Sequence, residues 1–299
     1  MKIEGRNGGE FVGIVSGLNL AGAADAALAA RLQDALDTYS VLLIPNAGLS
    51  DEGLVEFGRS FGALQEFMFG ASAQKQVSNL SNLGADKKIR TADDPIRAAI
   101  AADGLWHTDS TYLPSRARYS MLVARTLPKT GGGTDFCDTR GTYDALPDDL
   151  KAELEGKVAF HSIIHSRTLC GFHQWTPEQR AALPPVPQPL IWQNPRTGRR
   201  SVYLASHIFE IEGMPPERTR QVLAQLNDIA TAPRFVYAHK WTVGDLVIWD
   251  NRATMHRRAP YDDLTEVRQM SSIRVIEPSP LYDPAKSYGS NPAYLAPAA

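Results

Sequence analysis

Residues 234–256 read RFVYAHKWTVGDLVIWDNRATMH, and this stretch decides the fold class. Two runs rich in aromatic and β-branched residues, RFVYAHKW and DLVIWDN, are separated only by the turn-forming TVGD. That composition suits a half-buried pleated surface, so both runs read as strands joined by a tight turn. Working outward, RYSMLVARTLP (118–128) and 267–275 read as strands, and PLIWQNPRTGRRSVYLA (189–205) as a hairpin around Arg196-Thr197-Gly198. KVAFHSIIHS (157–166) also reads as a strand, TYSVLLIP (38–45) as a β-rich run stopped by Pro45, and 10–20 as an opening strand or hairpin. Helices are predicted where apolar residues recur at helical spacing: 24–38 through Leu28, Leu32 and Leu36, and a helix after Ser50 through Leu54, Phe57 and Phe61. Further helices are expected over 143–155, after the Thr176-Pro177-Glu178-Gln179 capping box, and over about 216–229. The tail from Glu277 is proline-rich and reads as irregular. Strands dominate the C-terminal half with helices outside them, so the expected class is α+β around a β-sandwich or barrel.

The whole chain has 299 residues, enough for one large core. Apolar residues make up 43% and the net charge is −2, which disfavours a dedicated nucleic-acid binder. No apolar run approaches the roughly 20 residues of a membrane span. MKIEGRNGGEFVG at the start has no apolar signal core, so a cytoplasmic location is expected. Cys137 and Cys170 make neither a disulfide framework nor a thiolate zinc site. Residues 65–105 are polar and long for a plain connection, which suggests a functional segment.

Two of the seven histidines stand in an informative context. In Trp106-His107-Thr108-Asp109, His107 and Asp109 are two apart, so an extended backbone turns both to one side. Far downstream, His256 follows the strong strand. Two imidazoles and one carboxylate on one face of an octahedral ion leave three positions open, the arrangement of non-haem iron(II) oxygenases. A loop histidine beside an aspartate, and an exposed His256 among Arg252, Arg257 and Arg258, are the plainer alternatives. Between the two histidines lies Gly131-Gly132-Gly133-Thr134: glycines admit close backbone approach and the threonine hydroxyl can donate to a carboxylate, although a simple turn would look the same. Beyond His256, Arg268, Met270, Ser272 and Arg274 alternate onto one strand face. An inward guanidinium there would need a carboxylate partner; an edge strand with solvated arginines is the alternative.

Taken together, WHTDSTY (106–112), GGGTDFCD (131–138), WDNRATMH (249–256) and the arginine twelve residues later resemble the TauD/TfdA family of iron(II)- and 2-oxoglutarate-dependent dioxygenases. RYSMLVAR, GGGTDFCDTRGTYDALPDDLKAELEG and IEGMPPERTRQVLAQL look like its aryloxyalkanoate-oxidising branch, and the likeness runs from about residue 10 to 275. The resemblance implies a double-stranded β-helix (jelly-roll) core with flanking helices in a single domain over 1–299, with 65–105 as an active-site lid. It implies His107, Asp109 and His256 as iron ligands, and Thr134 and Arg268 as holders of the distal carboxylate of 2-oxoglutarate. With O2, the reaction would yield CO2, succinate and a hydroxylated small anionic aromatic, such as 2,4-dichlorophenoxyacetate, whose product falls apart to a phenol and glyoxylate. Alkyl sulfonates, sulfate esters and other small carboxylates are the alternative substrates. A zinc hydrolase or a non-catalytic binding protein would have no need of the pocket that Thr134 and Arg268 imply.

The family often carries a second arginine four residues after the first, for the substrate anion; here Ser272 stands there. Arg274, or a cation of the irregular segment such as Lys75, Lys87 or Lys88, could take that role, and His207 could line the pocket. A homo-oligomer is expected from the family, with no nucleic-acid or membrane partner.

Overall fold

The computed structural model describes residues 1–18, 20, 25–67, 74–286 and 288. Seven strands make one sheet in the order Lys2–Gly5, Val12–Ser16, Val41–Ile44, Leu246–Asp250, Ser115–Thr126, Gln269–Pro278, Ser78–Ser81. All neighbours are antiparallel except Val12–Ser16 and Val41–Ile44, which are parallel because the helix Ala26–Tyr39 carries the chain back between them. A three-stranded sheet is built from Val236–His239, Thr134–Asp138 and Thr254–Arg258.

The two-residue period of the strands sorts the core into layers. Leu246 and Ile248 point to the same side as Met121, Val123, Ile273 and Val275, and pack under the helices Ala26–Tyr39 and Asp51–Arg59 through Leu32, Leu36, Leu54 and Phe57. Val247 and Trp249 point the other way with Leu122, Ala124 and Met270, and meet Phe136 and Tyr237 of the three-stranded sheet. Cys137 and Met255 on that sheet's far side pack on Val222, Leu226 and Ala230 of the helix Pro216–Ala230. Each such fully buried large aliphatic side chain contributes about 1.5–3 kcal/mol. The molecule is therefore mixed helix and sheet, with two sheets sharing one interior. Within that interior the strand Gln269–Pro278 presents Ser272 and Arg274 to a cavity that mixes charged and apolar side chains.

Local chemistry places several boundaries differently from the periodicity. KVAFHSIIHS is a strand only over Val158–His161, because the Ser162 hydroxyl accepts from the Ile164 N–H and starts the helix Ile163–Thr168. His161 and His165 therefore do not share a strand face. The helix expected over 143–155 is two, Thr139–Asp144 and Asp148–Leu154, with Pro147 at the start of the second. The last strand continues through Glu277 to Pro278, where Arg116 pairs with Glu277 at 2.7 Å, so the irregular tail begins later. The segment 65–105 is partly regular: Ser78–Ser81 extends the large sheet and Pro95–Ala101 is helical, while 68–73 lie outside the described residues. Residue 24, expected to open the first helix, also lies outside them. Both cysteines are free thiols, and no helix among the described residues is long and apolar enough to cross a membrane.

Candidate active site

His107 and His256 are 149 positions apart in sequence and adjacent in space. Their backbones exchange both hydrogen bonds of an antiparallel bridge, His107 N–H to His256 O at 2.9 Å and His256 N–H to His107 O at 2.8 Å. The 106–112 motif is thereby laid along the strand Thr254–Arg258, and the two imidazole centroids are 4.2 Å apart. Buried Thr108 anchors the motif, its hydroxyl lying 2.9 Å from Leu204 O and 3.1 Å from Thr254 O. Asp109 follows in a turn completed by Ser110 at φ 55°. One ligand atom each from His107, Asp109 and His256 falls within 4.8 Å of the others.

The protonation states suit a cation. The His107 Nδ1 lies 2.7 Å from the Leu105 carbonyl, which can only accept, so Nδ1 carries a proton and Nε2 is the ring atom left to bind a metal. Burial, with the neighbouring His107 adding to it, pushes His256 down to about 3, so its ring is neutral at pH 7. Burial works to raise the Asp109 carboxyl, but Arg274 at 2.8 Å prevails and holds it well below the usual carboxylate range. The His107 and His256 Nε2 atoms are 4.0 and 3.7 Å from the Asp109 oxygens, too far for hydrogen bonds.

A second layer of polar groups aims Asp109. Ser120 Oγ donates to Asp109 Oδ2 at 2.7 Å, Asn251 Nδ2 donates to Ser120 Oγ at 2.8 Å, and Asn251 Oδ1 accepts from the Asp109 N–H and the Trp249 indole. Sequence reasoning assigned Ser120 and Asn251 no role. Ser120 sits among other polar residues in the strand Ser115–Thr126 and Asn251 in the turn after Asp250, so neither stood out in the sequence.

The other end of the cavity is cationic. Arg268 is 4% exposed, its Nε donates to Gly132 O at 2.7 Å and its Nη2 reaches Thr134 Oγ1 at 3.4 Å. Among the described residues no carboxylate lies within ion-pair distance of Arg268. Burial, with Arg258 adding repulsion, pulls its guanidinium down to about 10, still charged at neutral pH. His107, Asp109, His256, Thr134, Arg268, Ser272 and Arg274 all line this one cavity, whose apolar wall is Leu80, Leu122 and Trp249. Asp103 and Arg258 line it too; sequence reasoning did not name Asp103 and named Arg258 only as part of a basic cluster. His207 stands just behind: its ring is 6.2 Å from that of His107 and 4.7 Å from that of Tyr112, and its Nδ1 is 2.7 Å from Ser166 Oγ. Lys75 is exposed and does not line the cavity.

The arginines around His256 are not a solvated cluster. Arg252 is buried on Asp250 at 2.6 Å, Arg257 pairs with Asp135 at 3.0 Å, and His256 itself is 7% exposed.

Comparison with known proteins gives the family. The profile of the family described as taurine catabolism dioxygenase TauD, TfdA family matches residues 6–273. The chain belongs to this family. It is 40% identical over 258 residues to the alpha-ketoglutarate-dependent 2,4-dichlorophenoxyacetate dioxygenase of Burkholderia sp. (strain RASC), covering 84% of this chain and 87% of that one. It is 35% identical over 273 residues to the (S)-phenoxypropionate/alpha-ketoglutarate-dioxygenase of Sphingobium herbicidovorans, covering 89% and 91%. The crystal structure of AAD-2 in complex with Mn(II) and N-oxalylglycine superposes with a TM-score of 0.84 at 39% identity, over 90% of this chain and 97% of that one.

Proposed function

We propose that the protein is an Fe(II)- and 2-oxoglutarate-dependent dioxygenase that hydroxylates a small anionic aromatic, an aryloxyalkanoate such as 2,4-dichlorophenoxyacetate. The observation that carries this reading is the buried Arg268, with no carboxylate at ion-pair distance among the described residues, beside Thr134 in the cavity that also holds His107, Asp109 and His256. A buried guanidinium without an anion is costly, and a dicarboxylate co-substrate supplies the anion. The N,N,O donor set with open positions fits iron(II). In this reading the two sheets are the halves of a double-stranded β-helix, and 1–299 is one domain with 65–105 as its lid. A cytoplasmic location and a homo-oligomer belong to the same reading.

Each residue then has a task. His107 and His256 would hold iron through ring nitrogens, and Asp109 would complete the donor set as a carboxylate. When bound, iron supplies the site for chelated 2-oxoglutarate and O2 and so the oxidising power for C–H hydroxylation. Arg268 and the Thr134 hydroxyl bind the distal carboxylate and fix the co-substrate's orientation. Arg274 binds the substrate anion: one nitrogen is engaged by Asp109, but its Nε is buried without a partner and its Nη1 reaches only Ser110 Oγ at 3.4 Å. Ser272 leaves room on the same strand face, and His207 backs the substrate side. The lid excludes water while the substrate is held.

The test is anaerobic addition of iron(II) and 2-oxoglutarate, read by visible absorbance, then a panel of aryloxyacetates, aryloxypropionates and sulfonates in air. A weak charge-transfer band that shifts with an aryloxyalkanoate, followed by phenol release coupled to succinate, is expected. No band in the folded, iron-loaded protein would sink the co-substrate assignment; turnover of sulfonates alone would replace the substrate class.

A further inference from the structure

Trp241 has no place in the functional reading so far, yet it touches the co-substrate pocket from behind. It follows the strand Val236–His239, and its indole Nε1–H donates to Thr134 Oγ1 at 3.0 Å. The ring is held from two sides. It packs partly buried against the shared core of the two sheets. Its other side meets the His239 ring edge-on, with centroids 4.4 Å apart and an interplanar angle of 83°. The His239 Nδ1 is in turn bonded to the Tyr237 hydroxyl at 2.8 Å, and burial pushes that histidine down to about 4, so the ring stays neutral at physiological pH. The strand register fixes the whole set, since His239 lies directly opposite Thr134.

A hydroxyl has two acceptor lone pairs and one proton. At Thr134 both lone pairs face donors, the Trp241 indole at 3.0 Å and Arg268 Nη2 at 3.4 Å. Its proton has no protein acceptor among the described residues, and the side chain is 2% exposed and lines the cavity. A free hydroxyl rotor could present either its proton or a lone pair to an incoming anion, and a lone pair would repel it. With both lone pairs engaged, only the proton remains to present. We propose that Trp241 is a positioning residue for the co-substrate: by engaging Thr134 Oγ1 together with Arg268, it commits the threonine proton to the distal carboxylate of 2-oxoglutarate. This rests on the co-substrate reading above.

The experiment compares two 2-oxo acids by calorimetry on the Mn(II)-loaded protein. 2-Oxoglutarate carries the distal carboxylate and 2-oxobutyrate lacks it, while both present the same chelating end to the metal. Trp241→Phe should weaken 2-oxoglutarate by about five- to tenfold, the size of one uncharged hydrogen bond, and 2-oxobutyrate by less than about twofold. Thr134→Val/Trp241→Phe should bind 2-oxoglutarate no more weakly than Thr134→Val alone, because the indole acts only through that hydroxyl. If Trp241→Phe does not fold, 3-benzothienylalanine at position 241 keeps the ring's shape without the N–H and tests the same bond. Equal losses for the two acids would make Trp241 a packing residue and overturn the inference, as would an unchanged 2-oxoglutarate affinity in a wild-type protein that binds it. A wild-type protein that binds neither acid would overturn the co-substrate reading itself.

Discussion

Arg268 is the residue at which structural and functional demands separate most clearly. A side chain kept for stability would have an ion-pair partner; this one has Gly132 O, the Thr134 hydroxyl and no carboxylate among the described residues. Removing it relieves a buried charge and forfeits its bonds to the Gly132 carbonyl and, at 3.4 Å, the Thr134 hydroxyl, and the first effect is the larger. Arg268→Met should therefore hold or raise the Tm of the ligand-free protein. It should also weaken 2-oxoglutarate by about 3 kcal/mol, on the order of a hundredfold, as truncation of a buried charge partner does. Thermal melts and calorimetry on the same sample check both halves. A Tm fall of more than about 5 °C would mark Arg268 as a structural strut instead. The residue types of this site were legible in sequence: His107, Asp109, Thr134, His256 and Arg268 stand in quotable motifs. What holds them was not, because Ser120, Asn251 and Trp241 act through bonds to residues 11 to 142 positions away.

At the scale of elements, the triple-glycine turn is the part whose geometry the site depends on. Gly132 has φ +66°, and a Cβ there would come within 2.7 Å of Pro128 and 3.3 Å of the Arg268 Cδ. Gly156 has φ +70° with nothing within 4 Å. Both substitutions to alanine carry the left-handed penalty of about 1–2 kcal/mol, and only the first adds crowding against the co-substrate arginine. Gly132→Ala should thus destabilise more than Gly156→Ala by denaturant melts, and should alone weaken 2-oxoglutarate. Equal effects of the two would show that the turn does not set the position of Arg268. The strand before this turn was legible in RYSMLVARTLP, but the strand Thr134–Asp138 after it was not, because the glycines read only as a turn. The strand-to-helix switch at Ser162 was missed because Val158–His161 and the residues after it are equally apolar, and only the cap bond at Ser162 separates them.

For the molecule as a whole, the buried histidines set an acid limit. Burial pushes His161 down to about 3, and His165 to about 4, with His239 in the same range. An unfolded histidine takes its proton near pH 6.5. Between about pH 6.5 and 4 the unfolded chain binds protons that the native state refuses, so stability is complete above that window and falls as pH drops through it. Each such histidine contributes a slope of about 1.4 kcal/mol per pH unit. Denaturation midpoints of the metal-free protein should hold from pH 7.5 to about 6.5 and fall from there to pH 5, and His161→Phe should remove close to one proton's worth of that slope. A midpoint independent of pH over this range would mean these rings are solvated in the native state.

By itself the sequence determined the class of fold, the family and the chemistry-bearing residue types, because strand alternation, helix capping and short motifs are local and survive in one dimension. The tertiary structure alone decided three further things. Arg274 leans on Asp109 while keeping other N–H groups free, Trp241 backs Thr134, and Arg252 is buried on Asp250 rather than solvated. The first two are contacts between residues more than a hundred positions apart, where sequence separation carries no information about distance. The third turns on burial, which follows from how the sheets stack and not from the residue's own neighbours in the chain.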